Sequence, residues 1–197
     1  YLEYHGIVFR GQPRPPFSEQ AQKYMEYGRQ HEDIAVCAFL DCAPSTLGDI
    51  YISEAPFFRH TTDWMGASPD GTYVIKNGDT VLEQGVIEVK CPGKAPNRPY
   101  TKWKNYYVAQ TYWEMACSGR RKVIAISWGP RNMRAWRYSW DDRYWRVLSN
   151  IVLAFKECVP FKQFQELQIQ LIEASDYVVN TAECLHNGSG WKQNHTE

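Results

Sequence analysis

The sequence predicts an α/β or α+β domain in which a mixed central β-sheet carries helices on both sides. Three observations point there. Asn77-Gly78 stands between two β-rich runs, 72–76 and 80–83, and Asn-Gly is the strongest short hairpin signal. Residues 85–90 keep strand periodicity, which sets Val86, Glu88 and Lys90 on one face and Ile87 and Val89 on the other. Apolar residues recur at helical spacing before and after these strands.

The elements follow in order. Residues 1–17 hold Gly6, Gly11, Pro13, Pro15 and Pro16 and read as an irregular arm. Ser18, with Glu19 in the first turn, starts a helix running to about residue 40. Met25, Gly28, Ala35 and Phe39 lie near one stripe of it, and Glu32 sits within that stripe. A carboxylate there is expensive unless it is paired, bound to metal or able to reach solvent. A turn-rich connection over 41–49 leads to a strand within 49–58, interrupted at Pro56, and then to the hairpin and the 85–90 strand. A second helix covers 105–118 with Gly119 as its stop, and Tyr106, Gln110, Trp113 and Cys117 share a stripe beside Tyr107. Strands over 123–128 and 133–140 pair through Gly129-Pro130-Arg131-Asn132, with Trp136, Tyr138 and Trp140 on one face. Asp141 or Asp142 caps a helix that buries Trp145, Leu148, Val152 and Phe155, and a last helix spans about 161–179. One domain is thus expected over 18–180, followed by a loose polar tail over 181–197.

Composition narrows the function. The chain has 197 residues, 44% hydrophobic, which is enough for a sizeable core. A formal net charge of zero argues against a uniformly basic DNA coat and leaves room for a local basic groove. No apolar run approaches membrane-span length, and no signal peptide is legible in a chain that begins at Tyr1 without a Met. Six cysteines are scattered without a C-x-x-C pair, so zinc ligation is disfavoured and free thiols in an intracellular setting, cytoplasm or nucleus, are expected. Asn187-Gly-Ser and Asn194-His-Thr match the glycosylation acceptor pattern, which is short enough to recur by chance.

Chemistry concentrates in 66–92. Asp70 sits in a Ser68-Pro69-Asp70-Gly71 turn just ahead of the hairpin, and Glu88-Val89-Lys90 ends the following strand. Asp70 and Glu88 are hard oxygen ligands suited to Mg²⁺, which binds through one or two carboxylates plus phosphate, and the Val89 carbonyl would add a third oxygen. Lys90 would orient or deprotonate the attacking water. By itself Glu-x-Lys reads as a surface ion pair; its flanks, Ser-Pro-Asp-Gly upstream and Cys91-Pro92 downstream, reverse that balance. The loop beyond carries Lys94, Arg98, Lys102 and Lys104 with Tyr100 and Trp103 interleaved, a composition fit either for solvent or for a phosphate backbone.

This pattern resembles the PD-(D/E)XK nucleases, and within them the lambda-exonuclease/YqaJ branch. The resemblance is carried by Ser68-Pro69-Asp70-Gly71 and Glu88-Val89-Lys90-Cys91-Pro92. The block 27–35, Tyr107-Val108-Ala109-Gln110 and Met115 extend it in the family's order over about residues 20–155. It implies a restriction-endonuclease-like fold and a Mg²⁺-dependent nuclease, with Mn²⁺ as substitute, degrading one strand 5′ to 3′ from a duplex DNA end. Asp70, Glu88, Val89 and Glu32 would hold metal, and Lys90 and Gln110 would complete the catalytic set. Ser68, Lys94, Arg98, Lys102, Lys104 and Tyr107 would meet DNA. A trimeric ring and a single-strand annealing partner are implied likewise, and iron–sulfur relatives are disfavoured by the cysteine spacing. The family's motif for holding a DNA 5′ end is not found in 1–17, although Arg10 and Arg14 lie there. An endonuclease on DNA or RNA with the same fold, or a non-catalytic DNA-binding recombination module, therefore stand as alternatives.

Overall fold

The computed structural model describes residues 16–62, 64–96, 98–157 and 160–189. The irregular arm read over 1–17 lies outside these residues except for Pro16 and Phe17. Among the described residues the elements are α1 (Glu19–Cys42), β1 (Asp49–Ser53), β2 (Phe58–Arg59), β3 (Gly66–Ala67), β4 (Gly71–Asn77), β5 (Thr80–Lys90), α2 (Asn105–Ser118), β6 (Lys122–Gly129), β7 (Asn132–Ser139), α3 (Asp142–Lys156), α4 (Phe161–Thr181) and β8 (Glu183–Gly188). No described helix is long and apolar enough to cross a membrane.

Six strands form one sheet in the order β1-β4-β5-β6-β7-β8, while β2 and β3 make a separate small hairpin. Among the described strands only the β5–β6 pair is parallel, and α2 provides its crossover. The sheet is therefore mixed, as the sequence predicts. One face packs Ile87, Val89, Ile124, Ile126, Met133 and Ala135 against Ala35, Ala38 and Phe39 of α1. The other packs Val86, Val123, Ala125, Trp136 and Tyr138 against α2, α3 and α4. The period-two reading of 86–90 thus holds: Val86 and Val89 belong to opposite cores.

Local chemistry explains the ends. The Ser18 hydroxyl accepts from Ala21 N at 3.2 Å and caps α1. Asp141 caps α3 by accepting from the Arg143 and Tyr144 amides. Between the paired Asn77 and Thr80, Gly78 takes φ +58 and closes the hairpin. What reads as two short strands, 80–83 and 85–90, is one continuous β5. Gly85 makes that continuity workable. A Cβ there would lie 2.4 Å from the Tyr73 ring and 2.5 Å from the Lys122 carbonyl, so only glycine lets Tyr73 cross β5.

Three phase readings shift. Met25 is 50% exposed, and burial on α1 begins at Ala35. On α2 the sheet takes Val108, Thr111, Tyr112 and Met115 rather than Tyr106, Gln110 and Trp113. On α3 the helical core beyond the sheet takes Tyr144, Leu148, Ile151 and Ala154, leaving Trp145, Val152 and Phe155 partly buried on the flank. The stretch read as a loose tail also differs, because 183–188 extends the sheet antiparallel to β7. The open edge of β7 offers backbone partners. Arg137 donates to Glu183 Oε2 at 2.8 Å and Arg134 to Asn187 Oδ1 at 2.7 Å, so the polar side chains of β8 are matched rather than merely solvated.

Candidate active site

The centre of the site is Glu88, 1% exposed near the C-terminal end of β5, an interior strand of the sheet. Gly71 pairs with Ile87, and that register carries Asp70 opposite Glu88. Asp70 stands at the exposed rim, where its Oδ2 accepts from Val89 N at 2.7 Å. One oxygen of Glu88, Oε1, is ion-paired with Lys90 and accepts from Gln110 Nε2 at 2.5 Å. The other, Oε2, is buried and has no hydrogen-bond partner. Lys90 Nζ also lies 4.9 Å from the centre of the Tyr107 ring, and that cation–π contact helps fix the ammonium.

The structure adds a residue that the sequence reading missed. Glu114 lies one turn after Gln110 on α2, is 3% exposed, and accepts from Gln110 Nε2 at 2.9 Å. Its Oε2 also has no partner. Gln110 thus spans two buried carboxylates, and both of its amide protons face acid. A signal was present in the sequence: Glu114 is the sole charged residue between Asn105 and Ser118.

Electrostatics follow from this crowding. Burial first, then the Asp70 charge, push Glu88 up to about 7. Burial first, then Glu88, push Glu114 up to about 10. Asp70, open to solvent on one side yet crowded by protein on the other, is also raised by the resulting desolvation, which outweighs the lowering effects of the Val89 amide and Lys90. Burial alone would lower Lys90, but the adjacent Glu88 carboxylate overrides it and holds the ammonium above the ordinary lysine value. Lys90 is therefore a proton donor in this state and not a free base. Glu32, half-buried on α1, is raised by burial and by the charge of Asp70 and lowered by Lys90. Helix α1 also meets the end of β5 directly, with Cys91 Sγ 3.6 Å from the His31 carbonyl.

The expected DNA contacts divide into two sets. Ser68 lines a cavity of about 430 Å³ that also takes in Gln110, Trp113 and Glu114. Lys94, Arg98, Lys102 and Lys104 are exposed on the 91–104 connection between β5 and α2. Lys104 Nζ lies 5.3 Å from the Tyr100 ring centre, and Tyr100 in turn meets Tyr107. Trp103 is different: at 1% exposure it packs against Tyr107 and Trp136. It anchors the basic connection from below and offers no stacking face.

The order and spacing of these blocks agree with a comparison of the sequence with known families. Residues 2–121 match the YqaJ-like viral recombinase domain, more than half of the chain. The chain belongs to this family. The matched span of this YqaJ-like chain runs from before α1 to just past α2, and Glu32, Asp70, Glu88, Val89, Lys90 and Gln110 all fall within it. The resemblance to the lambda-exonuclease/YqaJ type of nuclease is thereby borne out. No curated protein matches the YqaJ-like chain. Among solved structures it is similar to the alkaline exonuclease LHK-Exo from Laribacter hongkongensis, with 18% identity, a TM-score of 0.44, and coverage of 87% of this chain and 77% of that one. It is similar also to LHK-Exo in complex with dAMP, with 19% identity, a TM-score of 0.42 and the same coverage.

The residues present suit a hard divalent cation. The donors are carboxylate oxygens, and two buried ones, Glu88 Oε2 and Glu114 Oε2, lack any partner. Among the described residues no three His, Cys, Asp or Glu side chains form a ready-made cage. Lys90 stands as counter-ion to Glu88 and the Val89 amide holds Asp70, so protein groups compensate these carboxylates. The five described cysteines, Cys37, Cys42, Cys91, Cys117 and Cys184, are free thiols, and burial, then Glu32 and Asp70, push Cys91 up to about 12. A thiol so disfavoured as thiolate is a core group rather than a metal ligand.

Proposed function

We propose that this YqaJ-like chain is a divalent-metal-dependent deoxyribonuclease that hydrolyses one strand of duplex DNA from an end, 5′ to 3′. Mg²⁺ is its cofactor on this reading, with Mn²⁺ as substitute. The observation that carries it is Glu88: a fully buried carboxylate near a strand end, with one oxygen held by Lys90 and Gln110 and two further acids, Asp70 and Glu114, gathered against it. A purely structural ion pair has no use for three acids gathered at one lysine, because like charges disfavour one another's ionised forms.

Asp70, Glu88 and the Val89 carbonyl would hold the cation, with Glu32 assisting. A divalent ion bound there would polarise the scissile phosphate and stabilise the leaving oxygen. Lys90, fixed between Glu88 and the Tyr107 ring, would direct its ammonium protons at the attacking water or a phosphate oxygen. Gln110 would keep Glu88 Oε1 turned toward Lys90, leaving Oε2 for the ligand. The Val89 N–H would keep the Asp70 carboxylate facing the same point. The exposed cations of the 91–104 connection would hold the phosphate backbone, a contact that positions without reading sequence. A ring of like subunits and a single-strand annealing protein are the partners proposed with this activity.

End-labelled linear duplex, with and without a 5′ phosphate, incubated with Mg²⁺ beside a closed circle, tests the reading. Nucleotide release from the linear duplex alone supports an end-dependent exonuclease. Nicking of the circle assigns an endonuclease instead, which the lack of an end-holding motif in 1–17 would favour.

A further inference from the structure

The hairpin of β2 and β3 leads directly into Ser68 and Asp70, yet it displays large aromatics. Phe57 is 66% exposed and Trp64 49%. Both are held in place. The Phe57 ring lies across Gly66, where a Cβ would come within 2.3 Å of its Cζ, so the glycine is the seat for the ring. The turn that carries Trp64 is tied by His60 N to Met65 O at 3.0 Å and by Trp64 N to Thr62 O at 2.8 Å. Trp64 meets Trp113 edge-on with ring centres 5.9 Å apart, and Trp113 Nε1 donates to the Gly66 carbonyl at 3.1 Å. Isolated exposed apolar residues need no explanation, but a clustered, braced set beside a cleft does.

Cations surround this cluster. Lys156 Nζ lies 5.2 Å from the Trp64 ring centre, and the Arg120 guanidinium 5.3 Å from that of Phe58. Between the hairpin and the site lies the cavity of about 430 Å³, with Trp113 and Leu148 among its apolar lining and Ser68, Gln110 and Glu114 among its polar groups. The lining holds no lysine or arginine to take a phosphate, whereas an apolar wall with hydrogen-bonding groups suits the flat, uncharged edge and face of a nucleobase. We propose that Phe57, Trp64 and Trp113 form a stacking site for unpaired nucleobases of a DNA strand, placed beside the candidate active site. The choice of DNA as ligand rests on the nuclease reading. Bases stack on aromatic side chains without regard to sequence, while neighbouring cations follow the backbone.

The test is binding without cleavage. Affinity of the full chain is measured by fluorescence anisotropy, in Ca²⁺, for a short oligothymidylate and for an abasic strand of equal length and charge. The parent should prefer the strand with bases by about tenfold per stacked base. Trp64→Ala and Phe57→Ala should each reduce that preference, Trp64→Phe should restore most of it, and affinity for the abasic strand should change little in all three. Phe57 is 66% and Trp64 49% exposed, so the variants should stay folded with a Tm only a few degrees below the parent's, read by calorimetry beside the binding assay. Equal affinity of the parent for the two strands, or the full preference retained in both alanine variants, would overturn the proposal. Failure of the nuclease reading looks different: the base preference persists while Mg²⁺ brings no hydrolysis.

Discussion

Glu114→Gln is expected to stabilise the metal-free protein at alkaline pH and to leave it nearly unchanged at acid pH. The side chain is 3% exposed, shares the Gln110 amide with Glu88, and has one oxygen without a partner. Burial and Glu88 raise its folded pKa from 4.5 to about 10, and burial and Asp70 raise Glu88 from 4.5 to about 7. For an acid whose folded pKa is raised, the folded state holds a proton that the unfolded state has released. Stability therefore falls as pH rises from the unfolded value toward the folded one. At pH 8 that loss is nearly complete for Glu88 and still growing for Glu114. The Glu88 shift alone corresponds to about 3 kcal/mol at 1.36 kcal/mol per pKa unit. Because the two carboxylates share the burden, we expect removal of Glu114 to return about 2 kcal/mol. For a chain of this size that raises Tm by roughly 4–8 °C. A glutamine keeps an oxygen to accept from Gln110, so the hydrogen bond survives the change. Differential scanning calorimetry in EDTA at pH 5 and pH 8 reads the difference. An equal Tm change at both values, or a lower Tm for Glu114→Gln at pH 8, would refute the electrostatic account.

Other expectations follow from the same geometry. Glu32→Gln should raise the metal-free Tm slightly, because burial and then the charge of Asp70 work against ionised Glu32. It should also lower turnover more than substrate binding, and normal turnover across a Mg²⁺ titration would remove Glu32 from the site. Asp70→Asn and Glu88→Gln should abolish detectable cleavage while staying folded, and titration calorimetry should show lost Mg²⁺ affinity. Ca²⁺ should bind the parent without supporting turnover, since it accepts looser geometry. Gly85→Ala should destabilise by about 3 kcal/mol, because its Cβ meets both Tyr73 and a backbone carbonyl of Lys122; a chemical-denaturation midpoint equal to the parent's would contradict that.

Much of this site was legible because it is local in sequence. Strand periodicity places Glu88 and Lys90 on one face, and Ser-Pro-Asp-Gly precedes the paired strand whose register brings Asp70 opposite Glu88. The mixed sheet was readable from helix, hairpin, strand, helix order, and α2 supplies the only parallel crossover within the described sheet. What escaped depends on tertiary packing. The rotation of α2 is set by which stripe best fills the sheet face. Val108, Tyr112 and Met115 fill it, and this turns Gln110 and Glu114 toward Glu88. Trp103 reads as part of a basic, aromatic loop until the fold puts it beneath Trp136. Strand β8 has no periodicity of its own and exists because β7 leaves an open edge and two arginines to match it.

The central claim is that Lys90 and Glu88 form the chemical heart of a nuclease. The direct measurement is the rate at which purified Lys90→Ala digests end-labelled linear duplex DNA in Mg²⁺, beside the parent. The account predicts digestion by the parent and none detectable by Lys90→Ala. It also predicts that metal-free Lys90→Ala loses about 1.4 kcal/mol of stability at pH 8, because Glu88, at about 7 beside its counter-ion, must take up a proton once that counter-ion is gone. Digestion by Lys90→Ala at the parental rate would contradict it.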